Sequence, residues 1–184
     1  MTPASPRPVR PDDLQEVSPG VFYGTNPFVV VDPGIVAFLK LRAAGTPMRR
    51  ARLCAHPDPQ TIQHDMLIVS MSDTYVSPHR HHSKTETLLV VEGEADVLVF
   101  EPDGTLSGRF RIGTPSSRLP FFYRMPAGQY HSLDIRSEAL VFVESTLGPF
   151  RHEAMENAPW APGPQDPEAG RNYIARLRGN ILPR

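Results

Sequence analysis

Residues 78–86 read Pro78-His79-Arg80-His81-His82-Ser83-Lys84-Thr85-Glu86. Side chains alternate faces along a β-strand, so His79 and His81 share one face and His82 takes the other. Two residues along a strand lie about 6.5–7 Å apart at Cα, which lets two imidazoles converge on one ion at about 2.0–2.1 Å. The next four residues can turn the chain, and Glu86 then opens a returning strand. Glu86, Leu88 and Val90 share parity, so a carboxylate heads a row of core-facing aliphatic side chains. Burying a bare carboxylate there is costly, and a bound cation removes the cost. The pattern predicts His79, His81 and Glu86 as metal ligands. It turns His82 outward and gives Arg80 a surface ion pair.

A second segment, Pro126-Ala127-Gly128-Gln129-Tyr130-His131, places a tight Pro/Gly turn before another strand. His131 shares parity with Leu133 and Ile135, so a third imidazole points inward from an apolar row. His131 is the fourth expected ligand. Gln129 and Tyr130 are read as residues of the turn.

Working outward, short strand patterns fill the chain from about residue 49 to residue 146. Met66–Met71 is an apolar run expected to be buried on both faces. Thr87–Val91 and Ala95–Phe100 flank Glu92-Gly93-Glu94, read as a tight hairpin, and Pro102-Asp103-Gly104 is a second turn. Phe121–Met125, Ser132–Ile135 and Ala139–Glu144 continue the series. Strands at such spacing predict an all-β sandwich or barrel. Before them, Asp32 can cap a helix that begins at Pro33 and ends at Gly45. After Gly148-Pro149 the barrel pattern stops, and Asp166-Pro167 starts a short helix carrying Tyr173, Ile174 and Leu177 on one side. The 184 residues suit one domain: an N-terminal arm and helix (1–48, with 1–20 a loose arm), a barrel (49–150) and a tail with a helix (151–184).

The formal net charge of −1 points to neither nucleic acid nor an anionic membrane as a partner. Cys54 is the single cysteine, which excludes a disulfide framework and suits a reducing cytoplasm. Residues 1–19 have no apolar run of the secretory kind, and no stretch approaches the roughly 20 apolar residues of a membrane helix. A soluble, cytoplasmic protein is expected. Of the 21 prolines, five fall in the first twenty positions and Pro159, Pro162, Pro164 and Pro167 crowd the tail, so both ends read as irregular, wrapping segments.

Around the ligands, Tyr75 and Ser77 share parity with His79 and His81 and are candidates to line a pocket beside the metal. Arg49, Arg50 and Arg52 form a basic group near His56; a guanidinium there could fork onto a phosphate or carboxylate, and Arg52 and His56 are the residues taken as substrate-binding. Tyr123 is a further pocket candidate. Glu144 interrupts an apolar row, which an edge strand would also explain. Cys54 is read as a small core residue. No phosphate loop, nucleophile elbow or zinc-finger cysteine set is present.

His79-x-His81-x4-Glu86-x6-Gly93 resembles the first cupin motif, and Pro126-x-Gly128-x2-His131 resembles the second. Pro120 and Ile135 depart from that pattern, where Gly and Asn are usual, and neither is a ligand. Arg49-Arg50, Ala55-His56, Pro78-His79-Arg80-His81, Leu98-Val99-Phe100, Pro126-Ala127-Gly128, Gly148-Pro149-Phe150, Ala158-Pro159-Trp160 and Tyr173 are together similar to the WbuC-type cupin fold metalloproteins, over residues 45–178. The resemblance implies a double-stranded β-helix jelly-roll barrel with short flanking helices, one divalent metal ion and a homodimer. It also implies an association with bacterial O-antigen and polysaccharide metabolism. Three imidazoles and a carboxylate suit zinc, iron, manganese, nickel or cobalt, with zinc the ion expected in the purified protein. The expected activity is metal-dependent isomerisation, epimerisation or lysis of a sugar or sugar-derived small molecule. An Fe(II)-dependent dioxygenase, a non-catalytic metal- or sugar-binding module and a purely structural metal are the alternatives.

Overall fold

The computed structural model describes residues 6–179; residues 1–5 and 180–184, the outermost parts of the expected arm and tail, lie outside the described residues. Its strands are β1 (Leu14–Ser18), β2 (Val21–Gly24), β3 (Arg50–Cys54), β4 (Gln63–Met71), β5 (His79–His81), β6 (Glu86–Glu92), β7 (Glu94–Phe100), β8 (Leu106–Gly113), β9 (Phe122–Met125), β10 (Tyr130–Ile135), β11 (Ala139–Leu147) and β12 (Met155–Asn157). The helices are α1 (Pro33–Gly45) and α2 (Pro167–Arg178). The strands form a seven-stranded sheet, β1-β2-β3-β4-β11-β6-β9, and a five-stranded sheet, β12-β5-β10-β7-β8. The β2–β3 pairing is parallel, whereas pairs such as β4–β11, β6–β11 and β7–β10 are antiparallel. This is the expected all-β architecture, a double-stranded β-helix barrel with two short flanking helices.

Alternation explains how the two sheets meet. Leu88 and Val90 of β6, Ala95 and Val97 of β7, Leu133 and Ile135 of β10, and Leu140 and Phe142 of β11 point between the sheets and form one core. Each fully buried Leu, Val, Ile or Phe among them contributes about 1.5–3 kcal/mol. The opposite faces of β3, β4 and β11 are covered by α1, where Ile35, Val36, Leu39 and Ala43 meet Ala51, Leu53, Leu67, Val69 and Val141. That cover is why Met66–Val69 reads as an unbroken apolar run. The helix starts as the sequence predicts: the Asp32 carboxylate accepts from the Ile35 N–H at 3.1 Å and Pro33 occupies the first turn. On the outer face of the smaller sheet, α2 sets Ile174 and Leu177 against Leu98, Phe100 and Tyr130.

Three expectations change. Glu92-Gly93-Glu94 is a corner between sheets, because β6 pairs with β11 and β9 while β7 pairs with β10 and β8. Gly93 has φ +82, and a Cβ there would stand 2.1 Å from the Ala139 carbonyl oxygen. Glycine signals a sharp reversal, but the reversal leaves the pairing partner open. Pro102-Asp103-Gly104, by contrast, does close a hairpin between β7 and β8. Within the expected loose arm, Leu14–Ser18 is β1, which pairs with β2 and extends the larger sheet. Strand structure also continues beyond Gly148-Pro149, since Met155–Asn157 pairs with β5. That strand is three residues long, too short to show an alternation.

Candidate metal centre

His79 opens β5 and lies directly across from His131 of β10, with ring centroids 4.6 Å apart. Glu86 opens β6 and is 6% exposed. Donor atoms of His79, Glu86 and His131 all lie within 4.8 Å of one another. The β5–β10 pairing supplies two of them, and the reversal between β5 and β6 returns the third.

Backbone carbonyls fix the imidazoles. His79 Nδ1 lies 2.8 Å from the Ser77 carbonyl oxygen, and His131 Nδ1 lies 2.9 Å from that of Gln129. A carbonyl only accepts, so Nδ1 carries the proton on each ring and Nε2 turns its lone pair to the site. His131 Nε2 is buried without a hydrogen-bond partner of sound geometry, yet it stands 2.7 Å from Glu86 Oε1. A lone pair and a carboxylate oxygen at that separation require a cation, either a proton or a metal. Two ligands at right angles on one ion at about 2.1 Å are themselves about 3 Å apart, so the spacing fits a shared metal. The residues present therefore fit a divalent ion.

His81 stands slightly apart. Its Nε2 lies 3.0 Å from Glu86 Oε2, and its ring centroid is 6.3 Å from that of His131. Its Nδ1 is buried and has no partner. His81 thus reaches the same carboxylate from the other oxygen without joining the tight group of three.

The electrostatics follow from burial and proximity. Burial, aided by the positive His131, drives the His79 imidazole down to about 3. Burial alone would push Glu86 up, but the His131 and His81 imidazoles, each set against one of its oxygens, override it and hold the carboxyl well below its ordinary range. Burial also opposes charge on His131, and Glu86 outweighs it, so His131 is raised. A metal ion would take the place of that proton.

The centre opens on a cavity of about 740 Å³ bordered by Tyr75, Ser77, Arg52, His56 and Tyr123. The geometry qualifies some of these. The Tyr75 and Ser77 hydroxyls donate to the Pro162 carbonyl oxygen at 2.5 and 3.1 Å, so they tether the C-terminal segment at the rim. Gly170 of α2 leaves room for the Tyr75 ring, since a Cβ would come within 2.2 Å of it. His56 stacks on His64, with centroids 3.9 Å apart, and burial depresses both imidazoles. Burial raises the Tyr123 hydroxyl well above its ordinary value, and the charges of Glu86 and Glu144 add to it. Arg52 projects from the inner face of β3, in register with Ile68 of β4.

Arg50, Ser70, Lys84 and Glu144 also border the cavity. Glu144 lies on β11, which sits between β4 and β6, so the edge-strand reading is wrong. Burial, reinforced by Glu86, pushes its carboxyl up to about 7, against the pull of Arg50 and Arg52. Burial lowers the Lys84 ammonium. The signal for Arg50 was its parity with Arg52 and Cys54. Arg49 leaves the group, because it turns away and its Nε–H donates to both Asp73 carboxylate oxygens at 2.9 Å.

The outward residues behave as read. His82 Nε2 and Arg80 Nη2 approach Glu156 Oε2 at 3.2 and 2.8 Å. Tyr130 goes beyond a turn role: its hydroxyl donates to Glu156 and its ring lies 4.6 Å beneath the Arg80 guanidinium. Cys54 is buried, and burial raises its thiol, as suits a core residue.

Residues 31–112 match the family described as Domain of unknown function (DUF6016). No curated protein matches the chain in sequence. Among solved structures, procruciferin, an 11S globulin from Brassica napus, is 16% identical over 52% of this chain and 23% of its own, with a TM-score of 0.42. The capsular polysaccharide assembling protein CapF from Staphylococcus aureus is 16% identical over 53% of this chain and 27% of its own, with a TM-score of 0.44. Oxalate decarboxylase from Bacillus subtilis, described with Mn(II) centres, is 19% identical over 53% of this chain and 24% of its own, with a TM-score of 0.41. The chain spans about a quarter of the length of each of these three proteins.

Proposed function

We propose that this chain is a metal-dependent enzyme that isomerises, epimerises or cleaves a sugar or sugar-derived small molecule, with His79, His81, Glu86 and His131 holding one divalent ion. The observation that carries the reading is the pinning of His79 and His131 by the Ser77 and Gln129 carbonyls, which turns both Nε2 lone pairs toward Glu86 beside a cavity of about 740 Å³. When bound, the ion polarises an oxygen of the substrate. Glu86 supplies the negative charge that matches the ion, and its two oxygens span His131 and His81. Glu144 can hold or release a proton near neutral pH, because burial raises it to about 7. The link to polysaccharide metabolism, the homodimer and the cytoplasmic setting rest on the sequence resemblance and composition.

The test is elemental analysis of protein purified without added metal, with wild type compared to Glu86→Gln and His131→Ala. About one equivalent of a divalent metal in the wild type, lost in both variants, supports the reading. A folded wild type that takes up no metal overturns it. Sugar nucleotides and sugar acids are then screened with the metal restored. Turnover separates an enzyme from a binding module, and oxygen uptake with iron but not zinc would redirect the assignment to a dioxygenase.

A further inference from the structure

The cavity has a second polar end away from the candidate ligands. On β3, Arg50, Arg52 and Cys54 share one face, while Ala51 and Leu53 face α1. Arg50 and Arg52 therefore project into the barrel, about 6.5–7 Å apart at Cα. Cross-strand register puts Ser70 beside Arg50. Two cations directed inward from one strand are unusual, because burying an unpaired charge is costly and like charges repel.

Partner accounting sharpens the point. Several arginines outside the barrel pair with carboxylates: Arg42 with Glu16, Arg49 with Asp73, Arg80 with Glu156, Arg111 with Asp96, and Arg178 with Asp134. Among the described residues, no carboxylate lies within 4.0 Å of a nitrogen of Arg50 or Arg52. Arg52 Nε is buried with no hydrogen-bond partner. The Ser70 hydroxyl also lacks one, and Ser70 is only 1% exposed. These two atoms, both donors, face the same cavity as the candidate metal ligands. Glu144 lies close enough to influence both arginines electrostatically but does not pair with either.

We infer that Arg50, Arg52 and Ser70 form an oxyanion subsite, which selects substrates bearing a carboxylate or phosphate. An anion there takes fork-like hydrogen bonds from the guanidiniums and one from the Ser70 hydroxyl. The rest of the molecule then extends along the cavity toward Glu86 and His131. As a substrate assignment this rests on the proposed metal-dependent reaction. The anion site itself can be measured without that reaction.

The experiment uses full-length protein stripped of metal with a chelator and titrated calorimetrically with inorganic phosphate, malonate and, as a control, chloride. Saturable binding of phosphate or malonate is expected, weakened at least tenfold in Arg50→Met/Arg52→Met and several-fold in Ser70→Ala. Arg52→Lys, which keeps the charge and loses the fork, should fall between. Phosphate stronger than malonate assigns a phosphorylated substrate, and the reverse order a carboxylic acid. No saturable binding of either anion by folded wild type overturns the inference, as does equal affinity in the folded double variant. Should the double variant not fold, the wild-type titration and Arg52→Lys still decide. Metal content is read separately: loss of metal uptake with anion binding intact removes the proposed reaction and leaves the subsite standing.

Discussion

His131 Nε2 and Glu86 Oε1 lie 2.7 Å apart in the interior of the barrel, each on a different sheet. The imidazole cannot donate from Nδ1, which already serves the Gln129 carbonyl. The pair is therefore a receptor for one cation, and the two sheets are joined through whichever cation is present.

Adding zinc should stabilise the protein against unfolding. At a free concentration near one hundred times its Kd, the gain expected by mass action is about 2.7 kcal/mol. Thermal denaturation with and without zinc measures it. Glu86→Gln should abolish the shift, whereas His82→Ala, on the outer face, should leave it intact. A zinc shift that survives Glu86→Gln would remove Glu86 from the ligand set.

Metal-free protein should lose stability on acidification. His79 is depressed in the folded state to about 3, so the unfolded chain binds its proton first. Its contribution is present above the unfolded value near 6.5 and is lost as pH falls from there toward about 3. Glu86, also depressed, adds a loss beginning below its unfolded value near 4.3. His131 has the opposite sign: its contribution is present below about 6.5 and fades as pH rises through its raised folded value. Urea titrations from pH 8 to 3 check the balance, and His79→Gln should flatten the acidic limb.

Glu144→Gln should stabilise the metal-free protein at pH 8. The Glu144 carboxyl, raised to about 7, contributes fully only below its unfolded value near 4.3, and that contribution is lost as pH climbs through 7. A gain of about 1–3 kcal/mol at pH 8, vanishing near pH 4, is expected. Equal stability of the two proteins at pH 8 would contradict a buried, destabilised carboxylate.

Gly93→Ala should destabilise the barrel by at least about 2 kcal/mol. The position needs both a φ of +82 and the absence of a Cβ that would meet Ala139 and Ser137. Chemical denaturation reads the loss. Gly45→Ala is the control: nothing lies within 4 Å of a Cβ there, and it should be near neutral.

Much of the centre was legible because β-strand parity is strict. His79, His131 and Glu86 each head a row of known facing, so their convergence followed from counting by two. The same counting on Arg50, Arg52 and Cys54 places two cations inside, but only the helix over Ala51 and Leu53 reveals which face is the inner one. Gly93 was legible as a bend and illegible as a corner, since partner choice in a jelly roll is made by residues far away in sequence. Glu144 was ambiguous for a related reason: its meaning depends on β11 lying in mid-sheet, which register with β4 and β6 decides. The hydroxyls of Tyr75 and Ser77 were aimed by a carbonyl from the tail, Pro162, which no local pattern announces.

The three-residue strand β5 sits between β10 and β12, with His79 opposite both His131 and Asn157. Arg80 and its contact Glu156 are separated by 76 positions along the chain. At about 5–20 residues per second, a ribosome needs roughly 4–15 s to supply that stretch. The histidines thus emerge long before the strands that hold them. During synthesis they are exposed imidazoles beside a growing chain, and the last strand to pair with β5, β12, is made only after β10 has supplied His131.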